Sequence, residues 1–151
     1  SPAVKLTDAL LGEHGAFYMF FDQVEKIAPI AETVAQIRGP MTVLAAMIES
    51  HATLEDELLF AALEPHLGTD VGPLAQMRAE HDELERLLGQ IEETEDVNQA
   101  TAWVEETLRT ARSHFHKEER VLFPMAERLL GEEALMRLGK AWADARGVTI
   151  G

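Results

Sequence analysis

The sequence predicts an all-α protein, an antiparallel up-down four-helix bundle with a short extra C-terminal helix. Three observations predict it. Apolar residues recur at the 3.6-residue period along most of the chain, strand-like alternation is missing, and Gly and Pro fall at the junctions between periodic segments. Long helices joined by short links pack as antiparallel neighbours. The 151 residues are expected to form a single domain spanning 1–151, with the core bundle over about residues 4–125.

The first helix is expected over about Val4–Ile27, with Leu6, Leu10, Phe17, Phe21 and Val24 on its apolar face. Pro29 ends or kinks it, because proline lacks the amide proton a helix interior needs. A short segment around Ile30–Ile37 continues past the kink. Gly39-Pro40 reads as a stop and a fresh start, with Pro40 near the first helical position. The second helix then covers about Pro40–Glu64, with Leu44, Ile48, Leu58 and Ala62 on one face, and Pro65 and Gly68 end it. Thr69 or Asp70 is expected to cap a third helix over about Val71–Glu93, striped by Leu74, Met77, Leu84, Leu88 and Ile91. Asp96 or Asn98 starts the fourth, about Val97–Phe123. Pro124 interrupts that helix, and a short amphipathic segment around Leu129–Trp142 packs back on the bundle. Gly147 to Gly151 read as a frayed end.

Composition removes several classes of function. There are 13 basic and 27 acidic side chains, a net charge of −14, which repels phosphates and excludes nucleic acid or an anionic membrane surface as partner. The 46% hydrophobic content is too high and too periodic for a disordered acidic tail. Absence of cysteine removes disulfides, Cys-zinc sites, iron–sulfur clusters and thiol catalysis. It fits a reducing cytosol, so a cytoplasmic location is expected. No apolar run reaches the roughly 18 residues of a membrane span, and the start, Ser1-Pro2-Ala3-Val4-Lys5, lacks a signal-peptide core.

Each long helix interrupts its apolar face with histidine. His14 lies between Leu10 and Phe17, and His51 and Glu55 lie between Ile48 and Leu58. His81 falls between Met77 and Leu84, and His114 and Glu118 continue the series Val104, Ala111, Val121 and Met125. Residues four apart differ by only about 40° around a helix, so each His-x-x-x-Glu pair points the same way. The six groups are therefore expected to face the interior, where burial is costly unless hydrogen bonds, ion pairs or metals compensate. The stretch from His51 to Phe60 parallels that from His114 to Phe123, and Glu13-His14 matches Glu80-His81. An antiparallel bundle can then present two His–His–Glu clusters related by approximate twofold symmetry, a layout for two metals with carboxylates available to bridge. Imidazole and carboxylate without thiolate suit iron, manganese or zinc by ligand type, with iron the first choice. Bulky neighbours such as Phe17, Phe21, Leu58 and Val121 are expected to leave a small dry pocket fitted to a diatomic or similarly small ligand.

This pattern, His14, His51-x-x-x-Glu55, His81, His114-x-x-x-Glu118, resembles the hemerythrin-like (HHE cation-binding) family over about Leu6 to Met125. The tails Glu-Asp-Glu-Leu-Leu-Phe and Glu-Glu-Arg-Val-Leu-Phe-Pro are similar to those of the family too. The resemblance implies an up-down four-helix bundle holding a non-haem di-iron centre with an oxo or hydroxo bridge. It implies His14, His51, His81 and His114 as terminal ligands and Glu55 and Glu118 as bridging carboxylates. The chain departs from oxygen-carrying members at one position. They have a fifth histidine four residues before the one on the third helix, and here Met77 stands there. That leaves a coordination position open to water, peroxide or nitric oxide, or to a substitute ligand. Tyr18, four residues after His14 on the same face, is the candidate substitute; the alternative is a core tyrosine with a satisfied hydroxyl.

A single inward histidine is usually a hydrogen-bonded core residue. Four at matching places, two with Glu at i+4, are not explained that way. His116 lies about 200° around the helix from His114 and is expected to face solvent. His66, after Pro65, sits at a helix end, where histidine can interact with free carbonyls. Asp56, Glu57, Glu119 and Arg120 flank the motifs as possible partners of the histidine N–H groups or as solvated surface. The run Glu92–Asp96 reads as an exposed helix end, and Trp103 and Trp142 fit either core or oligomer contacts. The expected function is that of a di-iron protein that binds or reacts with dioxygen, peroxide or nitric oxide. Whether it turns over peroxide or nitric oxide as an enzyme is open at this point. The alternative is an iron- or oxygen-responsive protein whose metal controls stability and partner binding without turnover.

Overall fold

The structure, a computed structural model, describes residues 3–150. Ser1, Pro2 and Gly151, parts of the start read as lacking a signal-peptide core and of the tail read as frayed, lie outside the described residues. Helix α1 covers Leu6–Ile27 and closes in a 3-10 turn, Ala28–Ile30, at Pro29. Helix α2, Val34–Leu54, passes through a π turn, Glu55–Phe60, into α3, Ala61–Leu67. Then come α4, Pro73–Glu93, and α5, Val97–Lys117. A second π turn, Glu118–Leu122, leads into α6, Phe123–Arg146. No strand occurs among the described residues, and no helix is long and apolar enough to cross a membrane. Helices α1, α2, α4 and α5 pack in a ring as a four-helix bundle, and α6 lies against α1.

Several boundaries differ from the sequence expectation for local reasons. Helix α2 starts at Val34, because Thr33 and Gln36 form a capping box in which each side chain accepts the other's amide N–H. Residues 31–33 are therefore the link, no helix continues from Ile30 to Ile37, and Pro40 sits inside α2, which loses one backbone bond there. Helix α3 runs through Pro65 and stops at Gly68, whose φ of +76° suits glycine. The cap residue of α4 is Gly72, so neither Thr69 nor Asp70 caps it. Asp96 does cap α5, accepting from the amides of Asn98 and Gln99.

The two π turns have the largest consequence. An i→i+5 turn inserts an extra residue into the helix, and the buried face slips accordingly. Leu59, Phe60, Leu122 and Phe123 are buried, Leu58 is only half-buried, and Val121 is 52% exposed. Val121 therefore does not line the interior, contrary to the 3.6-residue projection. Pro124 lies in the first turn of α6 without interrupting it; the break comes at Gly131, with φ +81° and ψ 165°. Beyond it Leu135, Gly139 and Ala143 are buried. A Cβ on Gly139 would stand 1.7 Å from the Val4 carbonyl oxygen, so glycine is what lets α6 approach the start of α1. The helix ends in a Schellman cap, with Val148 N–H on the Ala143 carbonyl and Gly147 N–H on that of Asp144. Gly147 and Val148 are thus fastened, not frayed.

The core has two apolar clusters with a polar layer between them. One gathers Phe17, Phe21, Leu44, Ile48, Leu84 and Phe115, and the other gathers Leu6, Leu10, Leu59, Phe60, Met77 and Leu122. On every helix of the ring a histidine falls where the chain passes from one cluster to the other.

Candidate metal centre

His14, His51, Glu55, His114 and Glu118 are each at most 2% exposed, and the His81 side chain is 12% exposed. Two groups of four form. His14, His51, Glu55 and Glu118 each offer an atom within 4.8 Å of the others, and so do Glu55, His81, His114 and Glu118. Glu55 and Glu118 belong to both. His14 Nε2 lies 3.2 Å from Glu118 Oε1, and His81 Nε2 lies 3.2 Å from Glu55 Oε1. The His81 and His114 Nε2 atoms face each other at 3.1 Å. The six residues singled out from the sequence are thus brought together, and both helices that contribute His-x-x-x-Glu deliver the glutamate at the start of a π turn.

A ring of carboxylates orients the imidazoles. His51 Nδ1 bonds Glu13 at 2.7 Å, and His114 Nδ1 bonds Glu80 at 2.8 Å. His14 Nδ1 bonds Glu119 at 2.9 Å, and His81 Nδ1 is 3.7 Å from Asp56. On His14, His51 and His114, Nδ1 donating to a carboxylate leaves Nε2 to present its lone pair to the centre, while His81 Nδ1 has no hydrogen-bond partner. The repeat in sequence is therefore a repeat in space: the residue before each first histidine supports the histidine of the following motif, and the residue after each shared glutamate reaches across to the other half. Aromatic rings pack the other sides. Phe115 stacks on His14 with centroids 4.0 Å apart, and Phe60 stacks on His81 at 5.5 Å.

The donor set fits a cation. His14 Nε2, His51 Nε2, Glu55 Oε2 and both Glu118 oxygens are buried without hydrogen-bond partners, and converging lone pairs in a dry core are costly unless a positive charge stands between them. Protonation shows the same tension. Burial pushes Glu118 well above the ordinary carboxylate range, and the facing Glu55 adds to it. Against its own burial, Glu55 is held well below that range by His51. Burial, with the charge of His51, lowers His14 to about 4. Burial also opposes the charge on His51 and His81, but Glu55 with Glu13 for the first, and Asp56 with Glu55 for the second, raise both to about 9. Two buried carboxylates facing one another cannot both ionise comfortably without a cation.

The other candidates sort themselves. The Tyr18 hydroxyl donates to Glu119 at 2.5 Å, on the same oxygen that bonds His14 Nδ1, and burial and Glu119 push its pKa up. Met77 is buried in the second apolar cluster, one turn before His81. His66, His116, Glu57 and Arg120 are exposed. Trp103 packs at the edge of the first cluster. Sequence reasoning missed the roles of Glu13, Glu80, Trp142 and Arg146. The repeated Glu-His dipeptide was a usable signal for the first two; Trp142 and Arg146, which reach Glu13 from α6, carry none. The opening that reaches the centre is a groove of about 370 Å³ between α2 and α4, with Ile48, Leu84, Asp56 and His81 in its lining. None of Phe17, Phe21, Leu58 and Val121, expected to flank a small dry pocket beside the metals, is in its lining.

Comparison with known proteins agrees with this geometry. The family model for the hemerythrin HHE cation binding domain matches residues 5–126. Among curated proteins, the iron-sulfur cluster repair protein YtfE of Enterobacter sp. (strain 638) is 31% identical over 104 residues. That match covers 61% of this chain and 46% of the relative, so the alignment takes in less than half of that protein's length. No solved structure matches the chain. With four histidines and two glutamates converging in the layer between the clusters, and a family match across nearly all of the bundle, the chain belongs to the hemerythrin HHE cation-binding family.

Proposed function

We propose that this protein is a cytoplasmic non-haem di-iron protein that binds or reacts with a small oxidant, dioxygen, peroxide or nitric oxide, in the bundle core. The observation that supports it is the pair of four-residue groups sharing Glu55 and Glu118. In this reading His14 and His51 would hold one iron and His81 and His114 the other, with Glu55 and Glu118, shared by both groups, as the bridging carboxylates of an oxo- or hydroxo-bridged pair. Iron supplies the redox chemistry when bound. The chain's own contribution is to fix His14, His51 and His114 through Nδ1, to exclude water with Phe115, Phe60 and Phe123, and to admit a ligand beside His81. Met77 stands one turn before His81 on the same helix, so a metal held by His81 and His114 would lack the fifth histidine of oxygen-carrying members, in the half the groove reaches. Asp56, Asp82, Glu49 and Glu85 line that groove and favour an uncharged ligand over an anion.

The test is metal content with a visible spectrum, recorded on the isolated protein and after anaerobic reduction and return to air. Two irons per chain with an oxo-bridge absorption are expected. One metal or none, on an unchanged fold, overturns the reading. Re-oxidation by air with no stable oxygen complex points to reactivity or sensing, and a reversible complex points to carriage. A second reading, in which the metal sets stability and partner binding without turnover, is favoured by the unpartnered lone pairs in the core. It predicts a large metal-dependent rise in Tm with no consumption of peroxide or nitric oxide.

A further inference from the structure

Glu13 is the support of His51, and it is itself gripped from a part of the chain outside the family match. Its Oε2 accepts from Trp142 Nε1 at 2.8 Å and from Arg146 Nε at 2.7 Å, and its Oε1 accepts from Arg146 Nη2 at 3.1 Å as well as from His51. Arg146 also donates to the Ser50 hydroxyl, next to His51 on α2. The matched domain ends at residue 126, whereas these donors lie in the last turns of α6. The counterpart carboxylate, Glu80, takes its donors from within the bundle, Lys117 at 2.6 Å and Gln76 at 3.3 Å. The carboxylate behind His114 is therefore held from within the bundle, and the one behind His51 by the C-terminal helix.

We propose that Arg146 and Trp142 are positioning residues for His51, acting through Glu13, and that docking of the last turns of α6 is thereby linked to metal occupancy of the His14/His51 half. The inference rests on the di-metal reading above. Arg146 forks onto both carboxylate oxygens, which fixes the plane of the carboxylate in a way a single point charge does not. Trp142 fixes the remaining direction. Linkage is reciprocal: whatever α6 contributes to metal affinity, the metal returns to the docking of α6.

The test uses the whole chain, loaded with Fe(II) anaerobically against a competing chelator, with Trp142→Phe, Arg146→Gln and Arg146→Lys as variants. The variant Lys117→Met serves as a control on the other half. Loss of such an outer partner typically weakens metal binding about 10–100-fold. Arg146→Gln is expected to weaken one of the two sites by about that factor, Trp142→Phe by less, and Arg146→Lys to recover part of the loss. Amide exchange in residues 140–148 should slow on metal addition in the parent and not in Arg146→Gln, while circular dichroism of the metal-free forms stays the same. Parent-like affinity at both sites in Arg146→Gln and Trp142→Phe overturns this inference alone. A parent that takes up no metal overturns it together with the di-metal reading.

Discussion

The two halves of the centre are built from the same repeat but finished differently. In the first half both imidazoles are buried: Phe115 stacks on His14, Tyr18 donates to Glu119, and Trp142 and Arg146 of α6 donate to Glu13. In the second half the His81 side chain retains 12% exposure, its partner Asp56 is 47% exposed and 3.7 Å away, and the groove between α2 and α4 reaches both. Tyr18 has no aromatic counterpart; the equivalent position on α4 is Glu85, which lines the groove. On the proposed reading, the duplicated residues thus give one half closed to solvent and one that the groove reaches at His81. The repeat supplies the centre, and its departures supply the asymmetry.

The largest effects should come from the residues the halves share. Glu118→Ala removes a donor from both groups of four, so metal content is expected to fall by more than half, toward none. His51→Ala and His114→Ala each remove a donor from one group and are expected to leave about one metal per chain. Elemental analysis of the three purified variants checks this. If Glu118→Ala keeps one full metal, the halves are independent and the shared carboxylate is not a bridge.

Next in size is a test of the repeat in the π turns. Leu122→Ala and Leu59→Ala empty equivalent buried positions and should each cost about 2–5 kcal/mol, whereas Val121→Ala, at an exposed position, should stay within about 0.5 kcal/mol. Urea denaturation of the metal-free proteins measures it. A large loss for Val121→Ala would restore the uninterrupted helical phase that the sequence alone suggests.

That phase marks where the sequence stops being legible. The bundle and the six converging residues were readable because spacing by four places side chains on one face, and because each motif occurs twice. The slip after Glu55 and Glu118 was not, since no residue there has a propensity for an i→i+5 turn; only the Leu-Phe pair repeated after each glutamate hints at it. The start of α2 was readable in the Thr33-x-x-Gln36 box, but Gly39-Pro40 is the louder signal and points elsewhere. Trp142 and Arg146 reach Glu13 only because α6 breaks at Gly131 and returns along α1, a tertiary event with no local sequence marker.

Acid should treat the halves alike where they are alike. Burial raises Glu13, but His51, Arg146 and Trp142 lower it to about 2; the His114 bond, against burial, lowers Glu80 to about 2. A carboxylate depressed in the folded state contributes stability above its unfolded pKa and loses it as pH falls through the folded value. The metal-free protein should therefore lose stability between about pH 4.5 and about pH 2. Glu13→Gln and Glu80→Gln should each flatten that loss, as read by urea denaturation across a pH series. A slope that changes for only one of them would extend the asymmetry to the carboxylates themselves.

The smallest effect distinguishes the outer partners. Glu119 Oε2 accepts from both Tyr18 and His14, so Tyr18→Phe removes one of two donors from a mostly buried oxygen and should cost about 1 kcal/mol. Asp56 faces the groove, half exposed and beyond hydrogen-bond distance of His81, so Asp56→Asn should cost less than about 0.5 kcal/mol. The order matters more than the size. The Glu119 carboxylate has two donors to fix it against His14, whereas Asp56 has no such partner and is half exposed. Denaturation of both variants without metal measures the difference, and equal costs would mean that Tyr18 does not make the first half the firmer one.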